Sequence, residues 1–183
     1  MKTIKIHKED AILVLIDFQE RLMPAMENNE ELVATVIKLI KGCNIMEIPK
    51  LVTQQYTKGL GPTIPGIHEA LGKYRPIEKT SFSAMGEPAF AEALEKTGRK
   101  TVVLAGVESH VCVQQTALDL LEKGYHVFLA ADCVSSRQNS DKKYALKRMA
   151  QAGAFLTTCE AVLFELCGDS RRPGFKEISA LVK

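Results

Sequence analysis

The sequence predicts an α/β fold: a six-stranded, doubly wound parallel sheet with helices on both faces, in a single domain over residues 1–183. Three observations predict it. Apolar runs such as AILVLI (residues 11–16) and TVVLA (residues 101–105) show no polar alternation, as strands buried on both faces of a parallel sheet require. These runs alternate along the chain with segments of helical spacing. No repeat, linker or low-complexity tract interrupts the alternation, and 183 residues are enough for one hydrophobic core.

Taken in order, residues 11–16 form the first strand, closed by Asp17. Residues 18–26 read as a loop or a short helical turn, broken near Pro24. Leu32, Val33, Val36, Ile37 and Ile40 mark a helix over residues 30–41, and residues 51–53 form the second strand. Gly59, Gly61, Pro62, Pro65 and Gly66 predict a long loop over residues 54–75, with one helical turn at residues 67–71. A loop of that length in a compact domain is usually functional. Residues 76–79 form the third strand. Pro88 in its first turn and Gly98 beyond its end bound a helix over residues 88–96. The fourth strand, residues 101–105, stops at Gly106. Cys112 then opens a helix carrying Val113, Ala117, Leu118, Leu120 and Leu121, which ends at Gly124. Residues 127–131 form the fifth strand, with Asp132 at its end. A helix over residues 141–152, a sixth strand at 155–158, and helices at 160–166 and 175–182 complete the chain.

The totals narrow the function classes. A net charge of +2 with 25% charged residues gives no electrostatic case for nucleic acid or membrane partners. There is no apolar run of about 18 residues and no signal-peptide pattern. Five cysteines (43, 112, 133, 159 and 167) make an odd count without close spacing. That predicts reduced thiols in a cytoplasmic protein, neither a disulfide framework nor a zinc knuckle. Gly59-Leu60-Gly61 is no dinucleotide fingerprint, and neither a phosphate-binding G-x-x-x-x-G-K-[ST] loop nor G-x-S-x-G occurs, so no cofactor is expected.

Three polar groups close or follow the predicted strands: Asp17 after the first, Lys79 at the third and Cys112 after the fourth. In a sheet of order 3-2-1-4-5-6 the first and fourth strands meet at the switch point, where ligands bind beyond the carboxyl ends. The chemistry then reads as follows. Cys112, at a helix start, is a nucleophile favoured as a thiolate. Asp17 takes and returns a proton. Lys79 supplies positive charge to both. Backbone N–H groups of Glu108 and Cys112 face a developing oxyanion. Read singly, Asp17 is equally a cap, Lys79 a surface charge and Cys112 a small buried hydrophobe.

The motifs Asp17-Phe18-Gln19, Lys79-Thr80-Ser81-Phe82-Ser83 and Gly106 to Ala117 (GVESHVCVQQTA) occur in order, followed by Ala131 to Arg137 (ADCVSSR) and Phe175 to Lys183. Together they resemble the isochorismatase-like cysteine hydrolase superfamily over essentially the whole chain. Tyr56 to Gly61 is similar to the branch of isochorismatase domain-containing proteins. The resemblance implies the six-stranded order above, a catalytic triad of Asp17, Lys79 and Cys112, a cis peptide between Val107 and Glu108, and homo-oligomers. Nicotinamidases of the superfamily add a D-x-H metal site after the second strand. Here that position reads Thr53-Gln54-Gln55-Tyr56, and His68 has no ligand neighbour, so no metal is expected. Phe18, Gln19, Gln55, Tyr56, Phe82 and His110 are the candidate pocket wall for a small-molecule substrate. Asp132 and Arg137 match family positions, with a buried carboxylate satisfying loop backbone as the favoured reading.

The expected function is metal-independent hydrolysis of a small amide-like C–N substrate through a thioester on Cys112. The alternatives are an isochorismatase-type vinyl-ether hydrolase using Asp17 and Lys79 without covalent catalysis, a non-catalytic ligand- or partner-binding member, and a redox sensor pairing Cys112 with Cys133.

Overall fold

The computed structural model describes residues 4–183. Six strands form one parallel sheet: β1 (Ala11–Ile16), β2 (Lys50–Gln55), β3 (Ile77–Lys79), β4 (Thr101–Val107), β5 (His126–Ser135) and β6 (Phe155–Thr157). Their order is β3-β2-β1-β4-β5-β6, as predicted. At the centre β1 pairs with β4 along its full length, Ala11 beside Thr101 through Ile16 beside Gly106. The helices are α1 (Asn29–Ile45), α2 (Thr57–Leu60), α3 (Pro65–Leu71), α4 (Pro88–Lys96), α5 (Gln114–Glu122), α6 (Asn139–Gln151), α7 (Cys159–Cys167) and α8 (Phe175–Val182). Among the described residues, no helix is long and apolar enough to cross a membrane.

The unbroken apolar strands are explained by two cores, one on each face. Successive strand residues point to opposite sides. Leu13, Leu15, Val103, Ala105 and Phe128 pack with Val36 and Leu39 of α1, Ile67 of α3, Leu163 of α7 and Ile178 of α8. Ile12, Val14, Val102, Leu104 and Leu129 pack with Phe90 of α4, Leu120 of α5 and Met149 of α6. Both faces of the sheet are thus covered, which is the doubly wound arrangement.

Several boundaries depart from the sequence reading, each for a local reason. The predicted loop over residues 54–75 holds two helices, α2 and α3, the second opened by Pro65 and stopped by Gly72 at φ 69°. Strand β2 runs on through Gln54 and Gln55, polar residues that hydropathy alone ends a strand at. Strand β5 continues past Asp132 to Ser135, because an irregularity opposite Leu104 and Gly106 lets pairing resume at Val134 and Ser135. Helix α8 lies against the first core through Ile178, Leu181 and Val182.

Candidate active site

The carboxyl ends of β1, β2 and β3 and the turn after β4 bring Asp17, Thr53, Gln55, Lys79 and Cys112 together. Strand β1 ends at Ile16, and Asp17 takes a left-handed backbone (φ 54°), a conformation that a short polar side chain tolerates better than most. Its carboxylate is fully buried. Oδ1 accepts a 2.7 Å hydrogen bond from Thr53 Oγ1 of β2. Oδ2 lies 2.7 Å from the Lys79 ammonium at the end of β3, and both side chains are shut from solvent.

The Lys79 ammonium has three N–H donors. They go to Gln55 Oε1 at 2.7 Å, the Ser81 carbonyl at 3.2 Å and the Phe82 carbonyl at 3.0 Å. The Asp17 carboxylate, at 2.7 Å, is a fourth oxygen around the ammonium and the only charged one. One buried carboxylate oxygen is therefore held in ion-pair contact with a buried cation.

Cys112 sits in a single π-helical turn, Ser109–Val113, that runs directly into α5. Such turns inside helices recur at functional sites. Only 7% of Cys112 is exposed. Its thiol lies beside both Asp17 and Lys79. Burial first, and the Asp17 carboxylate second, push the thiol up from an ordinary 9.0 to about 12, while the Lys79 ammonium pulls the other way. This corrects the expectation of a resting thiolate. These surroundings favour the protonated thiol, with the Asp17 carboxylate beside it.

The turn before Cys112 completes the site. The Val107–Glu108 peptide is cis, at the position the resemblance implies. The Glu108 N–H donates to no acceptor among the described residues, while the Glu108 carbonyl accepts from the N–H groups of Val111 (3.1 Å) and Val113 (3.2 Å). The Glu108 carboxylate accepts from Arg137 Nε at 3.0 Å and the Arg137 N–H at 3.2 Å.

The isochorismatase domain matches residues 11–161 of this sequence. The chain belongs to the isochorismatase family. It is 40% identical to isochorismatase domain-containing protein 2 of Danio rerio over 179 residues, covering 97% of this chain and 89% of that protein. The structure of the MAR1 ribonuclease from Caenorhabditis elegans is similar at TM-score 0.92 and 42% identity, over 98% of this chain and 92% of that one. The Escherichia coli YcaC gene product, an octameric hydrolase of unknown specificity, is similar at TM-score 0.93 and 27% identity, over 99% and 92% of the two chains.

The candidate pocket wall of this isochorismatase-family hydrolase divides into two groups. Tyr56 and Phe82 are 52% and 55% exposed. Gln55 is half-buried, its amide spanning Lys79 Nζ and the Thr80 carbonyl. Phe18 and Gln19 face inward. Phe18 is buried in the first core. Gln19 is buried too, and its amide clamps the chain: Nε2 donates to the carbonyls of Gln55 (2.9 Å) and Gly61 (2.7 Å), and Oε1 accepts from the Gln55 N–H at 2.7 Å. His110 turns to the connection between β5 and α6, with Nδ1 3.0 Å from Ser136 Oγ and Nε2 3.8 Å from Asp141.

Other predicted residues resolve as follows. Asp132 departs from its structural reading: it is exposed, not buried, and it accepts the Cys159 N–H on both oxygens (2.8 and 3.1 Å) at the first residue of α7. Cys133 lies in the opposite core from Cys112, with the Cys159 thiol beside it. His68 Nδ1 is 3.1 Å from Tyr74 Oη. The residue that sequence reasoning missed is Thr53, which orients Asp17. Its only signal was a threonine near the end of a strand beside Asp17's own.

Proposed function

We propose that this isochorismatase-family hydrolase cleaves the C–N bond of a small amide-like substrate through a thioester on Cys112, with no metal in the reaction. The observation that carries the reading is the buried Asp17–Lys79 ion pair beside the Cys112 thiol, whose proton burial and the carboxylate favour. As the sulfur bonds to the carbonyl carbon, its proton passes to Asp17 and the carbonyl electron pair moves onto oxygen, where the N–H groups of Glu108 and Cys112 are the donors. Collapse of that adduct breaks the C–N bond, and the leaving amine takes the proton from Asp17. Water then attacks the thioester, giving one proton to Asp17. The carboxylic acid departs and the proton returns to sulfur. Throughout, Lys79 stays a fixed cation. Tyr56 and Phe82 flank the substrate at the mouth. At Thr53 and Gln55, the segment where nicotinamidases carry metal ligands, the side chains are engaged with Asp17 and Lys79.

The test is intact-mass detection of an acyl adduct on the protein after exposure to a panel of small amides, esters, vinyl ethers and short RNA, the last because a similar protein is a ribonuclease. An adduct on Cys112 from an amide, with turnover lost in Cys112→Ala, is the expected result. Amide turnover that survives Cys112→Ala, or cleavage of vinyl ether or RNA alone with Cys112→Ser fully active, overturns it.

A further inference from the structure

A lysine side chain is long and rotamer-rich, so its ammonium acts on a neighbour only where something holds it. Two of the three Lys79 donors go to the Ser81 and Phe82 carbonyls, in the irregular segment just after β3. That segment has no ladder or helix of its own to fix those carbonyls. It is fixed from α5. Ser81 Oγ donates to the Ser83 carbonyl at 2.8 Å, and Ser83 Oγ donates to Asp119 Oδ2 at 2.5 Å. The next residue is anchored to the same helix, its Ala84 N–H donating to Thr116 Oγ1 at 2.9 Å. Thr116 and Asp119 are three apart on α5 and share one face. Helix α5 is the direct continuation of the turn that carries Cys112. One helix therefore holds the sulfur at its start and, about two turns later, the segment that holds the ammonium.

We propose that Asp119 is a positioning residue: through Ser83 it fixes the carbonyl cage of Lys79, and so the placement of the ammonium against the Cys112 thiol. The Ser83–Asp119 bond is short and charge-assisted, the kind that holds a segment most firmly. The proposal rests on the reading of Asp17, Lys79 and Cys112 as the reacting groups, yet its test needs no substrate.

The readout is the second-order rate of Cys112 alkylation by iodoacetamide at one fixed pH, followed by peptide mass spectrometry. It reports how strongly the ammonium favours the sulfur anion. Asp119→Leu and Ser83→Ala are each expected to slow it about tenfold, by weakening the pull that Lys79 exerts on the thiol proton. The double variant is slowed no further than either, because both lose the same bond. Asp119→Asn, which keeps an acceptor for the Ser83 hydroxyl, recovers most of the rate. Unchanged alkylation in both single variants, or losses that add in the double, overturns the proposal. If Asp119→Leu does not fold, the comparison of Asp119→Asn with Ser83→Ala decides: equal rates overturn it. Turnover by Cys112→Ala would instead remove the amide-hydrolase reading and leave this result standing.

Discussion

Burying a lysine and an aspartate together costs more in lost hydration than their attraction returns, unless every remaining donor and acceptor is matched. Around Asp17 and Lys79 that matching is nearly complete, with partners from the end of β2 and from the segment after β3. Thr53 serves Asp17 Oδ1, while Gln55 and two loop carbonyls serve the ammonium. Asp17 Oδ2 is left to the ion pair itself, 2.7 Å from the ammonium. Thr53→Val is a close test, since valine keeps the shape and removes only the donor. It is expected to lower the unfolding free energy by about 1–3 kcal/mol, the usual cost of stranding a buried acceptor, and to slow turnover. Urea unfolding and initial rates check both; a variant as stable and active as the parent would deny Thr53 its role. Asp17 and Cys112 were legible in the sequence because each follows an apolar strand, and Lys79 because it ends a short one between a Pro and a Ser-rich turn. Thr53 was not, because a threonine inside a strand is ordinary. The clamp made by Gln19 was hidden too: a buried amide has four hydrogen-bonding sites, and backbone groups of Gln55 and Gly61, 36 and 42 residues away, take three of them.

Among the elements, β1 and β4 set the position of Asp17, since Ile16 and Gly106 pair in register just before it. Gly106 has φ 154°, and a Cβ there would stand 2.5 Å from Ile16 Cβ and 2.6 Å from the Ile16 carbonyl oxygen. The second contact is with backbone, which cannot swing away as a side chain can. Gly106→Ala is therefore expected to cost about 3 kcal/mol, at the upper end for overpacking, and to displace Asp17 from Lys79 with loss of activity. Gly98→Ala is the control: it also has positive φ (67°) but meets nothing within 4 Å, so it should cost only about 1 kcal/mol and leave activity intact. Equal losses in the two variants would show that backbone conformation alone matters at Gly106. The central strands were readable from apolar runs because both their faces are dry. The ends of β2 and β5 were not, because there the strand carries polar residues satisfied by groups distant in sequence, such as Gln19 and Lys79 for Gln55.

At the scale of the whole molecule, the sheet separates two cores, and both contain cysteines in surroundings that disfavour the anion. Cys43 lies in the first, and burial above all pushes its thiol up to about 12. Cys112 lies in the second and is pushed up to about 12 as well, by burial and then by Asp17. Cys133 is pushed upward by the thiol of Cys159 and by its own burial. All five cysteines are unpaired and buried. A thiol with a raised folded-state value keeps its proton where the unfolded chain has released it. The folded state then binds more protons than the unfolded one above the ordinary thiol value of 9.0, and stability falls as pH rises. Below pH 9 this contribution is fully present; it drains away as pH climbs toward 12. Each such thiol steepens the loss by about 1 kcal/mol per pH unit within that window. Lysines titrate in the same range, so the measurement must be a difference. Urea unfolding of the parent and of Cys43→Ala under reducing conditions, from pH 8 to about 10.5, isolates the Cys43 part, since every other group is common to both. The parent should lose stability more steeply than Cys43→Ala above pH 9, and the two should run parallel below it. Curves that stay parallel throughout would mean that the buried thiol ionises as readily folded as unfolded. The dry core around it could then not be the source of the shift, and the same reasoning would fail for Cys112.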